Sequence, residues 1–367
     1  MLLGDMGAGV IKVETPEDRA WRGAAPFHHW NRGKKSVALD FSVEGARAPF
    51  EAIVKSADVV VEDHLPREAR ERGLDYDSLE RLNPLLVYCA IPPFGEDGPL
   101  ADNPGNDGVV SAYSALMGNQ NGPDGPPEYS TVPGPSCGSA FLAAYAVTSA
   151  LYVRETQGVG QKIEVPLLNG SITMQGSAFV RGPGLGDPEG PERDPLGVKP
   201  AYRLYQCSDG KWIFIACGND TFWGKLCLAL DMEEFTVNPR FRDAPWSFTP
   251  EDHEMVKMTI GEKIGRRPQT YWLQHFEEHD VPSAPADSRD DFLVDPQVLS
   301  DNILLQVDDP MLGMMTQLGP LVTVGSMPGS VPAPAPELGE HGVGVLTGLG
   351  YGEAECAELA KSGALIC

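Results

Sequence analysis

The sequence predicts an α/β protein, a parallel sheet with helices over its faces. Two observations carry the prediction. Short β-branched runs alternate with amphipathic stretches as far as residue 91, and strands joined through helices in this way lie parallel. The chain also runs to 367 residues, more than a single hydrophobic core usually serves, so two lobes are expected.

The first fourteen residues read as the tail of a helix, a turn at Gly7-Ala8-Gly9, and a buried strand of Val10, Ile11 and Val13 that ends at Glu14. A chain that opens on the tail of a helix leads us to expect a missing first βα unit. Ser36–Leu39, Ala57–Val61 and Leu85–Ile91 read as strands, the last after the turn at Asn83-Pro84. Between the first two, Val43–Lys55 has helical period, with Ala46, Phe50, Ile53 and Val54 apolar. Val109–Met117 reads as a short buried helix, and residues 118–135, rich in Gly, Pro and Asn, as a long loop. Gly138–Glu155 is the strongest helix. It has Ser136 as N-cap, Arg154 in its last turn and Gly158 beyond its end. The strand Lys162–Leu167 follows. Residues 181–199 read as a linker to a second lobe. In that lobe Lys211–Cys217 is a strand, and Thr221–Leu230 and Pro268–Glu278 are helices. Val324–Pro336 is Pro-rich and should run extended.

Composition narrows the function. A net charge of −24 argues against a nucleic-acid partner. No run approaches the ~20 consecutive apolar residues of a membrane span. Seven dispersed cysteines without a C-x-x-C pair suggest reduced thiols in a cytoplasm. Metal-ligand spacing is absent, so no metal is expected. Residues 1–35 depart from the acidic whole, with six basic and four acidic side chains. Such a patch suits an anionic small molecule, or is a solvated cluster of charge. Glu14, at a strand's carboxyl end, is a candidate for a ribose hydroxyl or simply the end of the strand.

Several motifs, taken in order, resemble one family. Leu3-Gly-Asp-Met-Gly-Ala8 with Val10-Ile-Lys-Val-Glu14 comes first, then Asn31-Arg-Gly-Lys-Lys-Ser-Val-Ala-Leu-Asp40 and Ala57-Asp-Val-Val-Val-Glu62. Gly73-Leu-Asp-Tyr76, Phe94-Gly-Glu-Asp-Gly-Pro99 and Arg154-Glu-Thr-Gln-Gly-Val-Gly-Gln161 follow. Val281-Pro-Ser-Ala-Pro285, Asp295-Pro-Gln297 and Leu338-Gly-Glu-His341 complete the series. Together they resemble the family III coenzyme A transferases, the CaiB/BaiF-like group that includes carnitine, formate/oxalate and bile-acid CoA-transferases and the α-methylacyl-CoA racemases.

The resemblance implies a Rossmann-like large domain made from both chain ends, 1–190 and 306–367. It implies a smaller inserted α+β domain over 195–305, and two chains interlocked as a dimer. It further implies coenzyme A or acyl-CoA as substrate with a carboxylic acid as the other partner. The CoA contacts would fall on Lys12, Glu14, Arg32, Lys34, Asp63, His64, Arg70 and Arg72.

Two departures bear on the chemistry. Family members carry an Asp just ahead of the helix leading into the Arg154–Gln161 turn, and the matching position here is Ser136. That Asp attacks the acyl thioester and then carries CoA as a thioester of its own. A hydroxyl can take an acyl group but has no carbonyl carbon on which CoA could ride, and Cys137 shares that limit. The racemases use a His in a Gly-His-Asp context, and this chain has Gly105-Asn106-Asp107. Asn106 cannot exchange a proton near neutral pH. Asp107 could serve if the register slipped by one. The readings left open are a transferase using another carboxylate, Asp107 or Glu128, and a non-catalytic subunit paired with an Asp-bearing paralogue. A CoA-binding module without chemistry and, last, a racemase also remain.

Overall fold

The computed structural model describes residues 1–118, 120, 125–185, 194–325 and 329–367. Parts of the expected loop, linker and extended segment (119, 121–124, 186–193 and 326–328) lie outside the described residues. The described strands, in chain order, are β1 (Ile11–Glu14), β2 (Lys35–Leu39), β3 (Val59–Glu62), β4 (Val87–Ala90), β5 (Gln161–Glu164), β6 (Gly197–Lys199), β7 (Tyr202–Gln206), β8 (Trp212–Ala216), β9 (Ser283–Pro285), β10 (Leu304–Asp309), β11 (Gly313–Leu318) and β12 (Leu365–Ile366).

Two compact units result, Met1–Ser114 with Ser130–Gln175 and Pro296–Cys367, and Ala115–Tyr129 with Gly176–Asp295. The first holds three parallel pairings, in two sheets. β1 lies beside β2, with Ile11 opposite Lys35 and Glu14 opposite Ala38, and β12 closes that sheet antiparallel to β2. β3, β4 and β5 form a second sheet, all parallel. Parallel strands flanked on both faces should be apolar throughout, and Val37–Leu39 and Val87–Ala90 are indeed fully buried. Their core includes Phe50, Ile53 and Val54 from the helix Arg47–Ser56, and Leu346 and Cys356 from near the chain's end. The β10–β11 hairpin stands apart as its own two-stranded sheet.

The second unit is an antiparallel sheet in the order β6-β7-β8-β9. It is packed around Ile213, Trp223, Leu226, Ile260 and Phe276. Each such side chain, once buried, is worth about 1.5–3 kcal/mol. The helix Pro250–Ile264, to which the sequence reading gave no element, is capped by Thr249 and buries Val256, Ile260 and Ile264 on one stripe. The α/β class predicted from sequence is the observed one.

Two helix starts differ from expectation. The helix expected over Val109–Met117 runs Asp107–Tyr113, because the Asn106 side chain accepts from Val109 N at 3.1 Å and starts it earlier. It is only partly buried, with Val109 and Tyr113 exposed. The long helix runs Gly134–Gln157, so Ser136 lies in its first turn and is not its N-cap. Pro135 permits this early start, since a first-turn residue needs no N–H donor. By length and composition this helix could cross a membrane, which the sequence reading had not noticed. It lies against β4, β5 and the helix Leu167–Gln175.

That last contact is made backbone to backbone. A Cβ on Gly138 would stand 2.4 Å from Gly170 O, and one on Gly170 would stand 2.3 Å from Pro135 O. Neither obstacle can swing aside, because both are main chain. We expect Gly138→Ala to lower stability by about 3 kcal/mol, read as a shift of the denaturant midpoint at unchanged slope. A loss below about 0.5 kcal/mol would show that the two helices part easily.

Candidate functional site

At the head of the long helix, two segments meet through one carboxylate. Asp107 opens the helix Asp107–Tyr113, whose cap is supplied by Asn106. The Asp107 side chain therefore does not cap its own helix. Its Oδ1 accepts the backbone N–H of Ser136 at 2.8 Å, and its Oδ2 accepts the Ser136 hydroxyl at 2.5 Å. The partners are 29 residues apart in sequence, and both are half-buried. The positive end of a 24-residue helix adds to the attraction for the anion. Among the described residues no Lys or Arg pairs with Asp107. Glu128, the other carboxylate offered by the sequence, is exposed and belongs to the other compact unit.

Cys137 follows Ser136. Burial, and then the negative charge of Asp107, push its thiol above the ordinary range, so it is protonated and a poor nucleophile at neutral pH.

The basic patch near the N-terminus is built differently from its sequence reading. Glu14 is closed off, with no exposed side-chain surface. It accepts from Lys12 Nζ, from Arg22 Nη2 at 2.7 Å and from Ser36 Oγ at 2.5 Å. Burial pushes its carboxyl up, but the bonds from Lys12, Ser36 and Arg22 outweigh burial and hold it below the usual range. A ribose hydroxyl at Glu14 would have to share oxygens that already accept from the protein. Arg32 is likewise engaged within the protein. It is buried against Asp5, Nη2 to Oδ2 at 2.6 Å, and donates to the carbonyls of Leu318 and Gly319. It ties the start of the chain to the end of β11.

Lys34 keeps its availability. It donates to Asn31 Oδ1 at 3.0 Å and has no ion-pair partner among the described residues. Burial, and then the charge of Lys12, lower its pKa to about 8. Lys12 remains partly exposed beside it.

A cavity of about 120 Å³ opens at the carboxyl ends of β3 and β4, with Glu62, His64, Arg70, Tyr76, Tyr88 and Lys162 in its wall. Glu62 accepts from Tyr88 Oη at 2.8 Å, from His64 N at 2.8 Å and from His64 Nδ1 at 3.2 Å. The hydrogen bond that His64 makes to Glu62 raises the His64 pKa against the opposing effect of burial. Lys162 pairs with Glu96 in the same wall. His64 and Arg70 therefore come together, whereas Asp63 and Arg72 are exposed and do not line the cavity. Glu62, Tyr88 and Lys162 were missed in sequence. The available signal was that Glu62 ends a predicted strand, where ligands of open parallel sheets collect. Among the described residues no cluster of metal-ligating side chains is present.

Comparison with known proteins decides the family. The model of CoA-transferase family III matches residues 1–342. The chain belongs to CoA-transferase family III. Among curated family members, it is 30% identical to the acetyl-CoA:oxalate CoA-transferase of Acetobacter aceti, covering 85% of this chain and 82% of the relative. It is also 30% identical to a succinate–glutarate CoA-transferase of Agrobacterium fabrum, over 95% of this chain and 90% of that one. Among solved structures, a CAIB/BAIF family protein from Brucella suis matches with a TM-score of 0.77 and 28% identity, covering 95% of this chain and 93% of that one. A Mycobacterium tuberculosis protein matches with a TM-score of 0.80 and 25% identity, covering 93% and 92%. The expected family and its mixed α/β fold are thus both found.

The placement of Cys137 gives a test of the site's electrostatics in this family III chain. In Asp107→Asn the negative charge beside the thiol is gone, so the Cys137 pKa falls and alkylation at pH 8 quickens severalfold. Iodoacetamide labelling followed by peptide mapping reads this rate. An unchanged rate would separate Cys137 from Asp107.

Proposed function

We propose that this chain moves CoA between an acyl-CoA and a carboxylic acid. The family III match over residues 1–342 carries the reading, and relatives named for CoA transfer to oxalate and to glutarate support it. In this reading Lys12 and Lys34 meet phosphates of CoA, and the cavity holding His64 and Arg70 receives another polar part of the same molecule. No metal takes part, and the reaction belongs in the cytoplasm, as the dispersed thiols suggest.

The reading includes a large domain from 1–190 and 306–367, a smaller one over 195–305, and a dimer. Support for the dimer comes from the long helix, where Phe141, Tyr145 and Tyr152 are 61%, 73% and 71% exposed. Apolar side chains spaced four and seven apart share a helix face, and a face this apolar calls for cover. A second reading rests on Ser136. There the chain is a non-catalytic subunit, and the cover is an Asp-bearing paralogue.

Transfer is tested with succinyl-CoA and acetyl-CoA as donors and a panel of mono- and dicarboxylic acids as acceptors. New acyl-CoA formed by the protein alone supports the first reading. Formation only beside the paralogue supports the second, and acyl-CoA binding without any transfer sinks both.

The phosphate role of Lys34 has its own pH signature. An amine whose pKa is about 8 is only partly charged at pH 8 to 9. A bound phosphate favours the charged form, so CoA binding in that window takes up a proton and weakens as pH rises. Calorimetry in buffers of different ionisation enthalpy measures the uptake. Lys34→Met should abolish it and weaken CoA by about tenfold, the worth of one charge-assisted hydrogen bond. Proton uptake unchanged in that variant would remove Lys34 from the site.

A further inference from the structure

The geometry points to Asp107 as the carboxylate that carries CoA in this chain, with Ser136 as its positioning residue; this rests on the transferase reading above. The reaction needs a carboxylate that is held, reachable and charged. Asp107 is held by two bonds from one residue at the head of the long helix, 2.8 Å from the Ser136 nitrogen and 2.5 Å from its hydroxyl. It is half-buried, so its oxygens can be reached. No cation among the described residues neutralises it, and Asn106 relieves it of the capping task. Each oxygen accepts one bond from Ser136 and retains a second lone pair.

The neighbouring candidates lack one requirement each. Ser136 offers no carbonyl carbon and already donates its hydroxyl proton to Asp107. Cys137 is held protonated. Asn106 is neutral and occupied at Val109 N. The functional position has therefore passed from residue 136 to residue 107, across a hydrogen bond.

The steps balance. An Asp107 oxygen attacks the thioester carbonyl of the donor, the C–S bond breaks, and CoA leaves as thiolate, giving a mixed anhydride. The thiolate attacks the Asp107 side-chain carbonyl carbon, and the donor acid leaves as carboxylate. The enzyme now holds CoA as a thioester on Asp107. An acceptor carboxylate attacks that thioester and releases thiolate. The thiolate then attacks the acceptor's carbonyl in the new anhydride, which frees the Asp107 carboxylate. No proton, electron or further reactant is needed in net. Ser136 presents two donors to the free carboxylate; in the thioester Asp107 has one oxygen left to accept from it, and the second oxygen returns with the acceptor's carboxylate.

The test uses the full chain with succinyl-CoA and the acceptor panel. Trapping with hydroxylamine and peptide mass mapping should place a hydroxamate on Asp107 of the unaltered protein. Asp107→Asn should lower transfer at least a thousandfold while CoA still binds. Ser136→Ala should slow thioester formation about tenfold with little change in KM, and Ser136→Thr should restore it; a purely structural role for Ser136 would show in the melting temperature instead. If transfer occurs but the hydroxamate maps to another residue, or Asp107→Asn keeps its activity, the assignment to Asp107 is overturned and the transferase reading stands. Acyl-CoA binding with no transfer by the unaltered chain, alone or beside a paralogue, overturns that reading and the assignment together.

Discussion

The first turn of the long helix is fixed by a contact that admits no side chain. Gly138 and Gly170 let two helices meet through their main chains, with Pro135 O and Ser139 N against Gly170. Ser139 adds a hydrogen bond to Pro166 O at 2.9 Å, on the stretch that leads into the second helix. A main-chain contact has no rotamers, so the first turn cannot drift. Ser136 is in that turn, and Asp107 is bonded to Ser136 by main chain as well as side chain. On the other side Gly105 lies so close to Pro93 that a Cβ there would stand 2.7 Å from the proline's own. Asp107 is thus held between a helix head and a glycine-seated turn. Main chain on the helix side and the Pro93 ring on the other leave little room for drift, which a carboxylate needs if its position is to be set within a fraction of an ångström.

The charge economy of the first unit follows a related logic. The protein is strongly acidic, yet its most buried early charges are cations and their partners. Arg22 and Lys12 converge on Glu14, and Arg32 on Asp5. Such pairs, once buried, are costly to break from one side, so they serve as internal fasteners. Lys34 is the exception. It is desolvated, stands near Lys12 and, among the described residues, donates to an amide oxygen without an ion-pair partner, the charge of Glu14 offsetting only part of this. Its pKa is lowered in the folded chain, so the unfolded state binds more protons between about pH 8 and the ordinary lysine value, and stability contributed by this group rises with pH across that window. At neutral pH the fold therefore carries an unrelieved positive charge. That strain is what an anionic ligand would remove.

The difference between legible and illegible parts of the sequence follows the range of the interactions. Val37–Leu39 and Val87–Ala90 could be read because a strand buried on both faces shows itself in a continuous local run. The body of the long helix was readable from its Ala and Leu content and from Gly158, which closes it in the left-handed conformation. Its head was misjudged because Ser136 resembles a cap locally, and only the fold reveals a partner 29 residues away. Glu14 and Arg32 were read as ligand contacts on charge and position. Nothing local in the sequence tells that Ser36 or Asp5 will already occupy them. Tyr88 was hidden for the same reason. It belongs to a fully apolar strand, and its hydroxyl acquires meaning only through Glu62 on the neighbouring one.

The serine at 136 bears on Asp107 through electrostatics as well as geometry. Its hydroxyl donates to a carboxylate oxygen at 2.5 Å. A second carboxylate in the same place would stand a few ångströms from the first, and two carboxylates at that range cannot both stay charged. One would hold a proton and titrate as half of a pair. A neutral donor removes that conflict. It supplies two hydrogen bonds to the Asp107 carboxylate and places no second carboxylate beside it. A neutral double donor at position 136 therefore favours an oriented carboxylate at position 107.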